Sequence, residues 1–270
     1  VSDPSSTSAL VYQTSDATWE AYNAYNPPGV SNPAGSGPGL GNSLYQCNIA
    51  CPAWTPGSYK GAFQVSYNRP LQVGNVYGGQ ESPFYAEVPM IEFLEQNGYD
   101  VSYISETETD SSPSILTNHK AFLSSGHDEY WSANMRNNVT AARNAGVNLA
   151  FFSGNEIFWK TNYATDPLDG AAERTLVCYK ETHNEPPYGT AANQFDPNDP
   201  PTWTGTWEDP SGAEGGGDLP DNQLSGQAFK VNSSANNDDI TVPYQFAKLG
   251  LWKNTDVADL TSSNSPVVLG

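Results

Sequence analysis

Residues 121–132, AFLSSGHDEYWS, and residues 147–160, VNLAFFSGNEIFWK, carry the pattern from which the architecture of this chain is read. Each begins as an apolar run and closes on a glycine followed by polar residues. VNLAFFS is apolar almost without interruption, the mark of a parallel strand covered on both faces. Between the two runs, Ser132 stands where a helix N-cap is expected, Met135, Val139 and Ala142 recur on one helical face, and Gly146 ends the helix. Working outward, Val88, Ile91 and Leu94 share a helical face within Pro83 to Asn97, and Gly98 is the expected terminator. Val101 to Ser105 reads as a strand and Pro113 to Asn118 as a short helical turn. Upstream lie a strand at Ala9 to Ser15, an aromatic cluster at Trp19 to Tyr25 and a short strand at Phe63 to Tyr67. The succession is βαβ. It predicts an α/β fold, a mostly parallel sheet with helices on both faces joined by right-handed crossovers.

Beyond residue 160 the texture changes to long β-rich excursions. Strand-like runs at Thr175 to Lys180, Ile240 to Val242 and Lys248 to Trp252 alternate with Gly, Asp and Pro loops, and residues 26–43 form another long loop. The expected organisation is a flexible leader over 1–8 and one α/β domain over 9–270. The final Pro266-Val267-Val268-Leu269-Gly270 reads as a strand cut short. On that reading the chain ends inside a domain or a companion segment completes it, and a companion chain or a homo-oligomer is the expected partner.

Eleven Lys and Arg stand against 30 Asp and Glu, a formal net charge of −19. A nucleic-acid reader needs clustered cations, which are absent here, and an anionic membrane surface is excluded on the same ground. No run of about 18 apolar residues offers a membrane span. The acids read as a solvated surface in loops at 106–110, 196–221 and 236–239. Charged residues are only 15%, Asn, Ser, Thr, Gly and Pro filling the surface instead, and Val1 follows no Met. These features predict a secreted, extracellular protein. Cys47 and Cys51 suit a short-loop disulfide, with half of a metal site as the competing reading, and Cys178 suits a buried core thiol. Asn138 and Asn232 begin glycosylation patterns, which matter in a secreted eukaryotic or archaeal chain.

Open α/β sheets place ligands at the carboxyl ends of their strands. If the strands at 121–125 and 147–153 are neighbours, His127, Asp128, Glu129, Tyr130, Asn155 and Glu156 gather on one edge. Imidazole, carboxylate and phenol together suit a transition metal better than calcium. The plainer reading has Asp128 and Glu129 capping the following helix while Tyr130 packs. A nucleophile would require Ser125 beside His127, where tight packing into a glycine turn is the simpler account. His183 could reach the same edge, and His119 reads as structural. Asp196 to Asp199 and Asp218 to Asn222 are oxygen-rich enough for structural calcium. Trp54, Trp203 and Trp207 offer either core packing or a sugar platform.

FLEQNGYDVSYI (93–104), FLSSGHDEYWS (122–132) and AGVNLAFFSGNEIFWK (145–160) resemble the C-terminal domain of the N,N-dimethylformamidase large (beta) subunit and its relatives. TLVCYKE (175–181), TGTWEDP (204–210) and NQLSGQAF (222–229) continue the resemblance over most of residues 9–270. It implies a class I glutamine-amidotransferase-like fold and a mononuclear iron held by two tyrosines and one glutamate. Tyr130 falls where one tyrosine is implied and Tyr85 is the candidate for the other. The segment Thr202 to Trp207, where the glutamate is implied, contains no acid, leaving Glu156 or Glu181 to substitute. The expected function is metal-assisted hydrolysis of a C–N bond in a small neutral substrate. On that reading His127, Glu129 and Glu156 handle protons, Asp128 and Asn155 bind substrate, and Tyr130 and Tyr85 hold the metal. The alternative is a non-catalytic extracellular binding, matrix or assembly protein with a glycan or protein partner.

Overall fold

In the computed structural model, the described residues are 2–23, 25, 43–45, 62–71, 83–180, 195–196, 202–209, 217–229, 240–261 and 267–269. The backbone forms two compact units, residues 1–229 and 230–270, so the single domain read over 9–270 has a part that is compact by itself.

The first unit runs β1 (Leu10–Gln13), α1 (Asp16–Tyr22), β2 (Gln64–Ser66), α2 (Pro83–Ala86), α3 (Val88–Gln96), β3 (Val101–Ile104), α4 (Glu106–Ser111), β4 (Ala121–Gly126), β5 (Tyr130–Ser132), α5 (Ala133–Asn144), β6 (Asn148–Ser153), β7 (Trp159–Ala164), β8 (Thr175–Val177), β9 (Phe195–Asp196), β10 (Thr202–Trp203) and α6 (Asn222–Ser225). Strands β3-β1-β4-β6 form a wholly parallel sheet. Successive strand residues face opposite ways. Val11 and Phe122 therefore join Met135 and Val139 of α5 in one core cluster, while Tyr12 and Leu123 join Leu94 of α3 in another. The helices lie on both faces, as the βαβ pattern predicts. The cap at Ser132 is formed, its hydroxyl oxygen accepting the Met135 N–H at 3.0 Å. One expectation is corrected: β6 is an edge strand whose Phe152 is 59% exposed, so its apolar run is not covered on both faces.

A second sheet, ordered β2-β8-β7-β5, is mixed, with β5 and β7 parallel and the other pairs antiparallel. Its core combines Val65, Tyr130, Trp159 and Leu176 with Ala17 and Ala21 of α1. The neighbouring strands β4 and β6 leave the first sheet, and the chain re-enters the second as neighbouring β5 and β7. Residues 127–129 and 154–158 are thus paired bridges between two sheets.

Local differences from the sequence reading have physical causes. The helix read over Pro83 to Asn97 is broken at Glu87 into α2 and α3. Gly126 explains how closely α2 approaches β4: its φ is +88°, and a Cβ there would lie 2.9 Å from the Ala86 Cβ. α1 and α4, DATWEAY and ETETDS, are helices without apolar periodicity to announce them. α4 overturns the solvated-loop reading of residues 106–110, because Glu106, Thr109 and Asp110 are buried. In the leader, the Ser8 hydroxyl donates to the Leu10 carbonyl at 2.7 Å, and the Ser8 carbonyl accepts the His119 Nδ1 proton at 2.7 Å. His119 is structural in this sense. The second unit pairs β11 (Ile240–Val242) antiparallel with β12 (Val267–Leu269), so the terminal strand has its partner within the chain. The strand read over Lys248 to Trp252 is instead a 3-10 turn at Gly250–Trp252.

Candidate functional site

The two bridges are stitched by backbone hydrogen bonds, Gly154 N–H to Gly126 O, Ile157 N–H to Asp128 O and Trp159 N–H to Glu129 O, at 3.1, 3.0 and 2.8 Å. Asn155 and Ile157 adopt left-handed backbone conformations (φ 51° and 56°). A β-branched residue in that region is an outlier that tertiary packing must hold, and such strain concentrates at functional sites.

Along the 127–129 bridge, alternate side chains take opposite directions. Asp128 points inward and is fully satisfied: one oxygen accepts the Trp131 indole N–H at 2.7 Å, the other the Gln13 amide at 2.8 Å and the Ser124 hydroxyl at 2.6 Å. Glu156 is buried on the same side, where burial first and the Asp128 charge next push its carboxyl well above the usual range. Neither carboxyl joins His127. Asp128 and Glu156 thus form an interior group, with Glu106 as their neighbour.

Glu129 points the other way, at the end of α1. Its Oε2 accepts the Tyr22 hydroxyl at 3.0 Å and the Tyr45 hydroxyl at 3.2 Å, and its Oε1 accepts the Trp159 indole N–H at 3.0 Å. The Tyr22 and Tyr45 rings stack with centroids 4.0 Å apart. His127 Nε2 lies 3.9 Å from Glu129 Oε2, and its buried Nδ1 has no hydrogen-bond partner among the described residues. Tyr22, Tyr45 and His127 are partly exposed, whereas Glu129 and Tyr130 are buried. Behind them, the Tyr130 hydroxyl lies 2.6 Å from that of Tyr45 and accepts the Lys180 ammonium at 2.8 Å. Burial first, with the Glu129 charge next, holds the Tyr45 and Tyr130 phenols well above their usual range.

The structure therefore brings His127, Glu129 and Tyr130 together, as the sequence reading expects, and sets Asp128 and Glu156 apart. Tyr85 is 63% exposed on α2, and no hydrogen bond or ring contact joins it to this cluster among the described residues. The tyrosines that converge on the glutamate are Tyr22 and Tyr45. Sequence reading missed both, and Lys180; the only signals were the aromatic stretch at 19–25 and the YK of TLVCYKE. Gly154 packs beside His127, a Cβ there lying 4.0 Å from the imidazole Cδ2, and Asn155 is the next residue along this turn. Among the described residues no three His, Cys, Asp or Glu side chains gather to hold a metal ion. Two phenols and a carboxylate do converge.

Other candidates resolve differently. The Ser125 hydroxyl is buried and paired with the Tyr12 hydroxyl at 2.5 Å, so packing accounts for it. Cys178 is a buried free thiol. Trp203 and Trp207 are buried, Trp207 beneath the Arg136 guanidinium and the Lys160 ammonium. Asp221 accepts the backbone N–H groups of Asn222 and Phe229 on its two oxygens, a structural tie. The Asn138 amide donates to the carbonyls of Thr109 and Asp110 at 2.8 and 2.9 Å, which commits both its protons. Cys47, Cys51, Trp54, Glu181, His183, Pro197 to Asp199 of the first acidic loop, and Asn232 lie outside the described residues.

No curated protein matches the chain. Residues 1–269 match the family model described as N,N-dimethylformamidase beta subunit-like, C-terminal, and the chain, with its two phenols and carboxylate at the junction of the sheets, belongs to that family.

Proposed function

We propose that this protein is a metal-assisted hydrolase of a C–N bond in a small neutral amide, acting at the edge formed by Tyr22, Tyr45, Glu129 and His127. Family membership supports hydrolase-like chemistry. The observation that carries the finer reading is the convergence of two phenol oxygens on one carboxylate oxygen, at 3.0 and 3.2 Å, where the chain leaves the carboxyl end of β4.

The donor set fits iron. Phenolate and carboxylate are hard oxygen ligands, and Tyr22, Tyr45 and Glu129 would hold the ion. When bound, such an ion polarises a carbonyl and makes a bound water acidic near neutral pH. The residues around it do the rest. His127 stands beside Glu129 with Nδ1 free of described partners, and so can take a proton and return it to the leaving amine. Asn155, on the strained turn that follows Gly154 beside the imidazole, is the candidate for orienting a neutral polar substrate. The Trp159 indole fixes Glu129 from below. Lys180 is committed to Tyr130 and Lys160 to the face of Trp207, which favours a neutral substrate over an anionic one.

The glutamine-amidotransferase-like topology and the extracellular setting are part of the same proposal. The parallel sheet with helices on both faces supports the first, and the scarcity of Lys and Arg supports the second. The test is elemental analysis and visible absorption of protein supplied with iron, together with release of amine from N,N-dimethylformamide and other small amides. Iron bound in the wild type and lost in Tyr45→Phe and Glu129→Gln is the expected result. A wild type that neither retains iron nor turns over any small amide overturns the proposal and leaves the non-catalytic glycan- or protein-binding reading.

A further inference from the structure

We propose that Lys180 and Tyr130 are positioning residues that fix Tyr45 as a ligand, Lys180 donating to Tyr130 and Tyr130 donating to the Tyr45 oxygen. This rests on the reading of Tyr22, Tyr45 and Glu129 as the iron-holding set.

The direction of the chain follows from donor counting. An ammonium can only donate, so Tyr130 Oη accepts from Lys180 Nζ at 2.8 Å. In the metal-free protein the Tyr45 proton goes to Glu129 Oε2 at 3.2 Å, so it is the Tyr130 proton that reaches Tyr45 Oη at 2.6 Å. The Lys180 ammonium also lies 3.4 Å over the centroid of the Tyr45 ring and 4.8 Å over that of Trp159. Tyr45 is thus held at its hydroxyl by Tyr130, at its ring by the Lys180 charge, and by stacking on Tyr22.

The fold goes out of its way to place this charge. Lys180 is 1% exposed, and a buried ammonium is costly unless it is partnered. Its backbone is left-handed, with φ 48°, a conformation disfavoured for residues other than glycine. The strained residue is anchored by Lys180 N–H to Thr204 O at 3.1 Å and Tyr179 N–H to Thr204 Oγ1 at 2.9 Å. A segment needed only for packing would fill this place with an aliphatic side chain and no charge. Groups that orient metal ligands in this way typically alter affinity about 10- to 100-fold on removal.

The experiment titrates metal-free wild type, Tyr130→Phe, Lys180→Met and the double variant with ferric citrate. It follows the visible phenolate-to-iron charge-transfer band and retained iron, with thermal unfolding of each metal-free form as the control for folding. The expected result is about a 10- to 100-fold loss of iron affinity in each single variant, a displaced band, and a double variant little worse than either single one. Tyr130→Phe leaves the Lys180 ammonium without its hydroxyl acceptor, whereas the double variant removes donor and acceptor together, so its iron affinity and band carry the test if a single variant unfolds. Variants that match a folded, iron-binding wild type in affinity and band position overturn the positioning role alone. Losses that simply add in the double variant do the same. A wild type that shows no charge-transfer band overturns the iron reading beneath it.

Discussion

Glu87→Gln should change the pH dependence of stability, and the size of the effect can be worked from the structure. Glu87 lies at the break between α2 and α3 and is 1% exposed. Its Oε1 accepts the Ser15 N–H at 3.1 Å and the Trp19 indole N–H at 2.7 Å, while Oε2 has no partner among the described residues. No Lys or Arg forms an ion pair with it among the described residues. Burial outweighs the two hydrogen bonds and, with the charges of Asp128 and Asp16, raises its carboxyl from 4.5 to about 8. A carboxyl whose folded value lies above its unfolded one stabilises the fold while protonated. That contribution is complete below about pH 4.5, declines as pH rises, and is gone above about pH 8. Between about pH 5 and pH 8 the wild type should lose roughly 3 to 4 kcal/mol from this carboxyl, spread over the whole window. Gln keeps the acceptor oxygen for Ser15 and Trp19 but cannot ionise. The assay is urea unfolding of both proteins at several pH values across that window, read as the difference between them. Other raised carboxyls, Glu106 and Glu156 among them, act on both proteins and cancel. The variant should gain on the wild type steadily as pH rises. A difference that stays constant from pH 5 to pH 8 would refute the reasoning, because Glu87 would then be ionised in the fold without penalty.

Three further outcomes follow from packing and capping. Gly126→Ala combines a φ of +88° with a Cβ 2.9 Å from that of Ala86, so urea unfolding should show a loss of about 2 kcal/mol or more. Ser132→Ala removes the acceptor for the Met135 N–H and should cost about 1 kcal/mol, more if the buried Asp110 carboxylate that the Ser132 hydroxyl also contacts is left unpaired. Phe122→Ala empties a fully buried ring site beside Trp131 and Phe151 and should cost about 3 to 5 kcal/mol, measured as a drop in chemical midpoint at unchanged slope.

The acidity of the chain takes on a different meaning in the folded molecule. The sequence suggests that most of its 30 acids decorate a solvated surface, with Asp128, Glu129 and Glu156 set in the candidate site. Yet Glu87, Glu106, Asp110, Asp128, Glu129 and Glu156 are all buried. Glu106 and Asp110 lie on ETETDS, a helix whose buried residues are polar, so hydrophobic periodicity could not reveal which side faces inward. Tertiary folding alone buries such residues, and for Glu87, Glu106, Asp128 and Glu156 that burial pushes the carboxyl above its usual range.

Local periodicity and residues with special backbone demands carry everything that was legible in the chain before folding. The alternation and apolar runs of β1, β3, β4 and β6, the Met135, Val139 and Ala142 face of α5, the Ser132 cap and the glycine at 126 each follow from neighbours within a few residues. They sufficed to give a parallel α/β sheet and to place His127 and Glu129 at its carboxyl edge. The company that Glu129 keeps was settled by tertiary packing. Tyr22, Tyr45 and Lys180 reach the Glu129–Tyr130 pair across sequence separations of 107, 84 and 50 residues, from a helix end, a loop and a strand end. Nothing in their own neighbourhoods distinguishes them from other tyrosines and lysines. Their convergence depends on two sheets meeting where β4 passes into β5 and β6 into β7, and that junction is set by the packing of both cores rather than by any single segment.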